Sequence, residues 1–548
     1  MIYNCKTEGS VEGDHYVGGI VGQNVGTISY CSNTTGVNVS ASEAVDNVED
    51  LDSLTLPTAS DDDDDDIPKK ANTSTDVGGI CGFSSGVIIG CTNWGGVGFE
   101  HVGYNIGGIA GRSAGWLDGC VNTGSVNGRK DVGGIVGQLE PEVLQTFSED
   151  FLDYLANFRF ACDVWTVPEG TPIFPGEPIV KVKGPVIQAQ FVETMVLLTI
   201  NHQSLIATKA NRVVRAAQGR AVMEFGSRRA QGFDGAVYGA RAAYIGGCAG
   251  TACTISDEMF GTPALGTMAH SWVQLFDSEY DAFKAYAEEY PDACTLLVDT
   301  YNVLHSGVPN AIKVFDEVLA PMGKRPKGIR IDSGDIAYLS RKARKMLDDA
   351  GYPDCSIVAS NSLDEYIIRD MLLQGAKVDS FGVGERLITS SSSPVLGGVY
   401  KLCAVEKDGE IIPKIKLSEN VQKITTPGNK RVYRLYDRES GKAAADLITL
   451  ASETVDDSRP YELFDPDFTW KRKTLTNYTA RELLEPLFRK GECVYKERNI
   501  EEIKSYCREQ IDTLWDEVTR FENPHNYYVD LSQQLWDVKH ELLRKNKE

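Results

Sequence analysis

From Arg220 onward the hydrophobic positions fall into a regular alternation. Short apolar runs, RAVMEF, PALGT, CTLLVD, KGIRI, CSIVAS and VDSFGV, are each followed by a polar or glycine-bearing turn: GSRRAQG, MAHSW, TYN, DSGD, NSLDE and GER. Between them stand segments of helical period such as DAFKAYAEEY, NAIKVFDEVLAPMG, SRKARKMLDD and EYIIRDMLLQ. Short strands alternating with amphipathic helices predict parallel βα units. Six in succession, without a nucleotide-type glycine loop after the first, favour a closed α/β barrel over an open sheet.

Upstream the pattern differs. QFVETMVLLTINHQSLIATKANRVVRAA reads as one long helix with a broad apolar face, and FSEDFLDYLANFRF as a shorter one. CDVWTVPEGTPIFPGEPIVKVKGP alternates between Pro/Gly turns, which predicts a small β unit. The first 140 residues repeat themselves: VGGIVGQ starts at Val17, VGGICGF at Val77, IGGIAGR at Ile106 and VGGIVGQ again at Val132, the last two intervals being 29 and 26 residues. A short period of small apolar strands and glycine turns predicts a solenoid, because one rung cannot bury its own face. Cys5, Cys31, Cys91 and Cys120 hold equivalent places and are expected to stack inward. The repeats resemble the GLUG-motif repeats of bacterial surface proteins over about residues 1–138, which implies a β-rich extracellular module.

Composition changes this picture in three places. Net charge is −23, but eleven acidic residues and no basic one lie between Glu43 and Asp66, so a solvated, disordered insert is expected at about 41–72. An acidic chain without a basic stripe argues against nucleic acid as partner. No apolar run is long enough for a membrane span, and the start, MIYNCKTEGSVEGD, lacks the layout of a signal peptide. Thirteen cysteines without a CxxC pair fit reduced thiols and a cytoplasmic enzyme. The expected divisions are 1–140, repeats; 141–215, a partial β-rich domain and linking helix; 216–400, the barrel with the active site; and 401–548, a β/helical region.

In such a barrel the chemistry sits at the carboxyl ends of the strands. Those ends carry Arg228 and Arg229, Thr267 and His270, Asp299, Arg330 with Asp332 and Asp335, Ser360 and Asn361, and the turn Gly382-Val383-Gly384. Several arginines ask for a carboxylate or phosphate. Carboxylates in the same mouth would repel that anion unless a divalent cation sat between them, and magnesium takes one or two carboxylates plus substrate phosphates. Glycine turns offer backbone N–H groups to a phosphate. The set suggests a small acid meeting a phosphorylated, magnesium-bound partner.

EFGSRRAQG, YIGGCAGT, GTMAHSW, LLVDTYNV, GIRIDSGDI, SNSLDE, FGVGERLIT, GGVYKL and TPGNKRVYR, in this order, resemble nicotinate phosphoribosyltransferase from about Phe147 to near residue 530. The resemblance implies a type II phosphoribosyltransferase irregular α/β barrel with a small, incomplete β-rich domain, here preceded by the β-solenoid-like repeats. It implies a cytoplasmic homodimer that joins nicotinate to phosphoribosyl pyrophosphate (PRPP), with ATP hydrolysis, in NAD salvage. It places His270 where ATP phosphorylates the family's histidine, a covalent role open to imidazole. Asp299 is implied for catalysis and Arg330 for the nicotinate carboxylate. Thr267, Ser271, Ser333 and Asn361 are implied as hydrogen-bonding groups. Arg228 and Lys209 would hold pyrophosphate, Gly382 and Gly384 the 5′-phosphate, Asp332 the ribose hydroxyls or magnesium, and Asp335 magnesium.

The chain departs from the family pattern at Ala249, where many relatives are acidic, and at Glu385, where others carry Thr. A DLYELTM-like segment, whose tyrosine packs on the nicotinate ring, does not precede Phe147; repeats occupy that place. The alternative expectation is a non-catalytic surface or adhesive repeat protein, or a fusion carrying a truncated enzyme. Nicotinamide- or quinolinate-using relatives are the chemical runners-up.

Overall fold

The computed structural model describes residues 1–40, 74–99, 102–139, 148–418 and 424–545. They form two compact units, Met1–Phe158 and Arg159–Glu548. The expected acidic insert and the expected boundary at residue 140 lie outside the described residues.

In the first unit the sequence repeat becomes strand register. Val17 pairs with Val77, Val77 with Ile106, and Ile106 with Val132, all in parallel strands. Equivalent pairings build four parallel four-stranded sheets, with Ile28, Ile80, Ile88 and Ile109 fully buried between them. Cys31 and Cys91 are buried in the stack, Cys120 is half-buried and Cys5 exposed. The residue two places after each cysteine does more. Asn33 Nδ2 donates to Asn93 Oδ1 at 2.8 Å, and Asn93 Nδ2 donates to Asn122 Oδ1 at 2.8 Å. This buried ladder passes directly beneath the paired glycines: a Cβ on Gly79 would collide with the Gly108 carbonyl and the Asn93 amide. Only glycine lets successive rungs approach so closely.

The second unit contains the predicted alternation as a six-stranded, all-parallel sheet. Its order is Gly250–Thr251, Ala221–Glu224, Ser380–Val383, Ser356–Asn361, Gly328–Ile331, Thr295–Leu297. The last strand in sequence pairs with the first, Ala221 opposite Ser380. That pairing joins the two ends of the series and leaves Gly250–Thr251 and Thr295–Leu297 as the sheet's edges, an irregular ring rather than a fully hydrogen-bonded one, and the parallel order puts every strand's carboxyl end on one side. PALGT does not form the expected strand. Pro263 has no N–H to donate, and only an isolated bridge from Ala264 to Thr251 remains; the strand in that place is Gly250–Thr251. The long predicted helix is Glu193–Ala216. The Pro/Gly-punctuated unit is an antiparallel pair, Asp163–Thr166 with Val180–Lys183, extended by Glu485–Arg489 and Glu492–Cys493. A further sheet joins Lys430–Asp437, Ala443–Leu450, Tyr478–Glu482 and Val529–Leu531.

Candidate active site

Arg330 is next to last in its strand and ties four residues to one point. Its Nε donates to Ser360 Oγ at 2.7 Å, Nη1 to Thr267 Oγ1 at 2.9 Å and to the Met268 carbonyl at 3.4 Å, and Nη2 to Asp332 Oδ1 at 2.9 Å. Ser360 also donates to Asp332. Four of the five guanidinium N–H groups are therefore engaged, and one remains for a ligand.

His270 joins the same network. Its Nε2 lies 3.5 Å from Asp332 Oδ2 and its Nδ1 3.1 Å from Thr300 Oγ1. The ring opens the helix His270–Leu275 and is 39% exposed, so one face is reachable while both nitrogens are oriented. Burial alone would raise the Asp332 carboxyl; the Ser360 hydroxyl, Arg330 and His270 outweigh it and hold it below the ordinary carboxylate range. Asp332 thus stays ionised between a fixed cation and an imidazole.

Asp299 caps the neighbouring strand. Ser333 Oγ donates to its Oδ2 at 2.6 Å, while Oδ1 is buried without a partner. A cavity of about 300 Å³ opens beside it, lined by Tyr301, Asn302, His305, Ser333 and Gly334 among others. An unsatisfied carboxylate oxygen at a cavity wall is a place for a donor or a cation. A larger cavity of about 490 Å³ lies elsewhere, around Arg215, Arg369 and Phe521. Arg369 there pairs with Glu522 and Arg215 donates to the Thr519 carbonyl, so it holds the C-terminal segment in place.

Asn361 has φ 147°, a backbone setting that costs a non-glycine residue energy and that clusters at functional rims. Its side chain accepts from the Ser362 N–H at 2.6 Å. Gly382 has a packing reason for its missing side chain: a Cβ there would strike the Phe225 ring, which also lies 5.7 Å from the Arg330 guanidinium carbon. Gly384 precedes the short helix Glu385–Ile388. Arg228 is exposed, with no ion pair or hydrogen bond among the described residues, while Arg229 stands 3.9 Å from Glu385. Ser271 is exposed and likewise unbonded.

Two expected ligand contacts take other places. Lys209 is 3% exposed and donates to Glu365 at 2.6 Å and Ser392 at 3.0 Å, outside the Arg330 network. Asp335 caps the helix Ile336–Asp349, its Oδ1 accepting from the Tyr338 N–H at 2.9 Å. Among the described residues no three His, Cys, Asp or Glu side chains gather as a metal cage. Magnesium held by one or two carboxylates and substrate phosphates still fits, and the unpaired Oδ1 of Asp299 is the donor best placed for it.

Glu224 was not visible as a site residue, because a lone Glu one place before the end of RAVMEF reads as a strand end. It is fully buried, accepting from the Gly226 N–H and from Thr251 Oγ1 at 2.6 Å, and so fixes the turn that presents Phe225 and Arg228.

Comparison with known proteins decides the family. The nicotinate phosphoribosyltransferase (NAPRTase) N-terminal domain matches residues 141–201 and the C-terminal domain residues 429–539. The nicotinate phosphoribosyltransferase of Bacillus subtilis (strain 168) is 43% identical over 403 residues, covering 73% of this chain and 81% of that protein. The chain belongs to the nicotinate phosphoribosyltransferase family. The Dictyostelium discoideum nicotinate phosphoribosyltransferase is 35% identical over 457 residues, 73% of this chain and 76% of that one. The crystal structure of human nicotinic acid phosphoribosyltransferase superposes with a TM-score of 0.65 at 27% identity, covering 73% of this chain and 87% of its own. Family membership makes the barrel a type II phosphoribosyltransferase fold. A non-catalytic repeat protein is not favoured, since most of the chain aligns with enzymes.

Proposed function

We propose that this chain transfers the phosphoribosyl group of PRPP to the ring nitrogen of nicotinate, releasing pyrophosphate, with ATP phosphorylating His270. The carrying observation is the single network in which Arg330 joins Thr267, Ser360 and Asp332, and Asp332 meets His270. A cation for a carboxylate, an ionised acid and an oriented imidazole at one strand-end rim suit an anionic ring and a phosphoryl donor.

In the transfer step the nitrogen–C1 bond forms as the C1–oxygen bond to pyrophosphate breaks, through a cation-like ribosyl state. The residues contribute position and preorganised charge. Arg330 offers its free N–H to the nicotinate carboxylate, Asp299 faces the developing positive charge, and Arg228 is unpaired and ready for the leaving diphosphate. The Gly382–Gly384 turn would take the 5′-phosphate. Bound magnesium would neutralise diphosphate charge, with Asp299 rather than Asp335 the better-placed carboxylate. In the ATP step a His270 nitrogen bonds the γ-phosphorus as ADP leaves, and Asp332 stabilises the resulting cationic ring.

A cytoplasmic setting is supported by thirteen cysteines that are all unpaired. Among the described residues no helix is long and apolar enough to cross a membrane. A homodimer and a GLUG-type identity for the repeats belong to the same proposal; they rest on the motifs quoted above.

The test is full-length chain with nicotinate, PRPP, magnesium and ATP, followed for nicotinate mononucleotide, beside parallel reactions with nicotinamide and quinolinate. Product from nicotinate alone supports the reading. A flat trace with all three bases from a folded sample overturns it.

A further inference from the structure

The segment after Gly384 is held at both ends by one acidic dipeptide. Asp364 caps the helix Glu365–Leu373, its Oδ1 accepting from the N–H groups of Tyr366 at 3.1 Å and Ile367 at 2.9 Å. Its other oxygen accepts from Arg386, two residues past Gly384. Glu365 is buried: Oε2 lies 2.6 Å from Lys209 Nζ and Oε1 2.9 Å from Arg212 Nε. Lys209 passes the tie on, donating to Ser392 Oγ at 3.0 Å. Arg386 and Ser392 thus bracket the stretch that follows the glycine turn, and both lead back to Asp364-Glu365. Inside the bracket Ser390 has φ 46°, a left-handed setting that a serine keeps only where its surroundings hold it.

The ties are charge-assisted and resist loss of charge. Burial would raise both carboxyls, yet the bonds from the Ile367 N–H and Arg386 for Asp364, and from Lys209 and Arg212 for Glu365, hold both below the ordinary range. A buried lysine whose carboxylate partner is removed is left as an uncompensated charge, so the pair cannot be broken from one side cheaply.

We propose that Asp364 and Glu365 are positioning residues for the phosphate end of PRPP, and that Lys209 acts through Glu365 and Ser392 instead of touching substrate. The inference rests on the reading that the Gly382–Gly384 turn receives the 5′-phosphate. Backbone donors stabilise a phosphate only if they are already aimed when it arrives, and the bracket supplies that aim. Nicotinate, held at Arg330, lies outside it.

The experiment compares Glu365→Gln and Arg386→Met in the full chain, with KM measured separately for PRPP and nicotinate and PRPP binding measured by calorimetry. Losing a charged hydrogen bond predicts a rise of about tenfold in both KM and Kd for PRPP, with less than about twofold change in KM for nicotinate. Glu365→Gln also releases the Lys209 ammonium. If that lysine acted on pyrophosphate directly, PRPP affinity would hold or improve in this variant, and such a result overturns the proposal. Should Glu365→Gln not fold, Arg386→Met decides, because its side chain is 40% exposed. Unchanged PRPP affinity in folded Arg386→Met overturns the proposal. A wild-type chain that binds PRPP but makes no product would fail the reading of function instead, and the calorimetric comparison would still decide this one.

Discussion

The Ser333 hydroxyl donates to Oδ2 of Asp299 at 2.6 Å, and Oδ1 of the same carboxylate has no partner. The neighbouring strand end therefore fixes the direction of this acid without satisfying it. Asp299→Asn keeps the shape and can keep the Ser333 contact, but removes the charge. Turnover is expected to fall about 10²–10³-fold, the usual effect of losing one preorganised electrostatic group. Melting temperature should hold, since the variant relieves a buried unpaired charge. Wild-type turnover in a folded Asp299→Asn chain would exclude this carboxylate from the chemistry.

His270→Ala separates the two steps of the proposed reaction. The stimulation by ATP should vanish while a basal, ATP-independent transfer survives, because Arg330 keeps Thr267, Ser360 and Asp332 in place without the ring. Labelling with γ-phosphate-labelled ATP should give an acid-labile product in wild type and none in the variant. Equal ATP stimulation in both proteins would remove His270 from the phosphoryl step.

The strand ends were legible because a barrel spaces them at intervals set by its helices, so apolar runs that stop at Asp299, Arg330 or Asn361 announce a rim. Roles that depend on distant partners were not. Lys209 meets Glu365 across more than half the barrel sequence, and nothing local to KANR shows that its charge is already spent. Asp335 reads from the sequence as a magnesium ligand, and its place as the cap of the helix Ile336–Asp349 shows only once the Tyr338 N–H is seen against its Oδ1. PALGT matched a strand in hydropathy but not in donors. In the repeats, period and core were visible, yet the asparagine two places after Cys31, Cys91 and Cys120 passed unnoticed, because a polar residue in a turn-rich stretch looks solvated until the rungs are stacked.

That ladder predicts where the repeat unit is weakest. Asn93 is fully buried and bonds both Asn33 and Asn122, besides the Gly95 carbonyl at 2.8 Å. Asn93→Leu leaves those partners unsatisfied and places a bulkier side chain against Gly79. A loss of about 2–4 kcal/mol is expected from unpaired buried groups and overpacking together. Hydrogen exchange on the full chain should show faster exchange in residues 74–139 with the barrel unchanged. Undiminished protection across the repeats would show that the ladder contributes little.

Glu224 carries a pH signature of its own. It is fully buried, and burial raises its carboxyl above the ordinary value; the bonds from Thr251 and Gly226 recover only part of that cost. A carboxyl whose folded pKa exceeds its unfolded one binds a proton more tightly in the native state. Its stabilising effect is complete below the unfolded value of about 4.3 and is lost as pH rises towards the folded value. Glu224→Gln has no such titration: its carbonyl can take the Gly226 N–H and its amide can donate to the Thr251 oxygen, so the turn that presents Phe225 and Arg228 is kept. Melting temperatures of the two proteins, measured from acid through neutral pH, should therefore diverge in the variant's favour as pH rises. Subtracting the curves cancels every group they share, so the difference isolates this carboxyl. Parallel curves over the whole range would show that Glu224 is ionised in the native barrel at no cost.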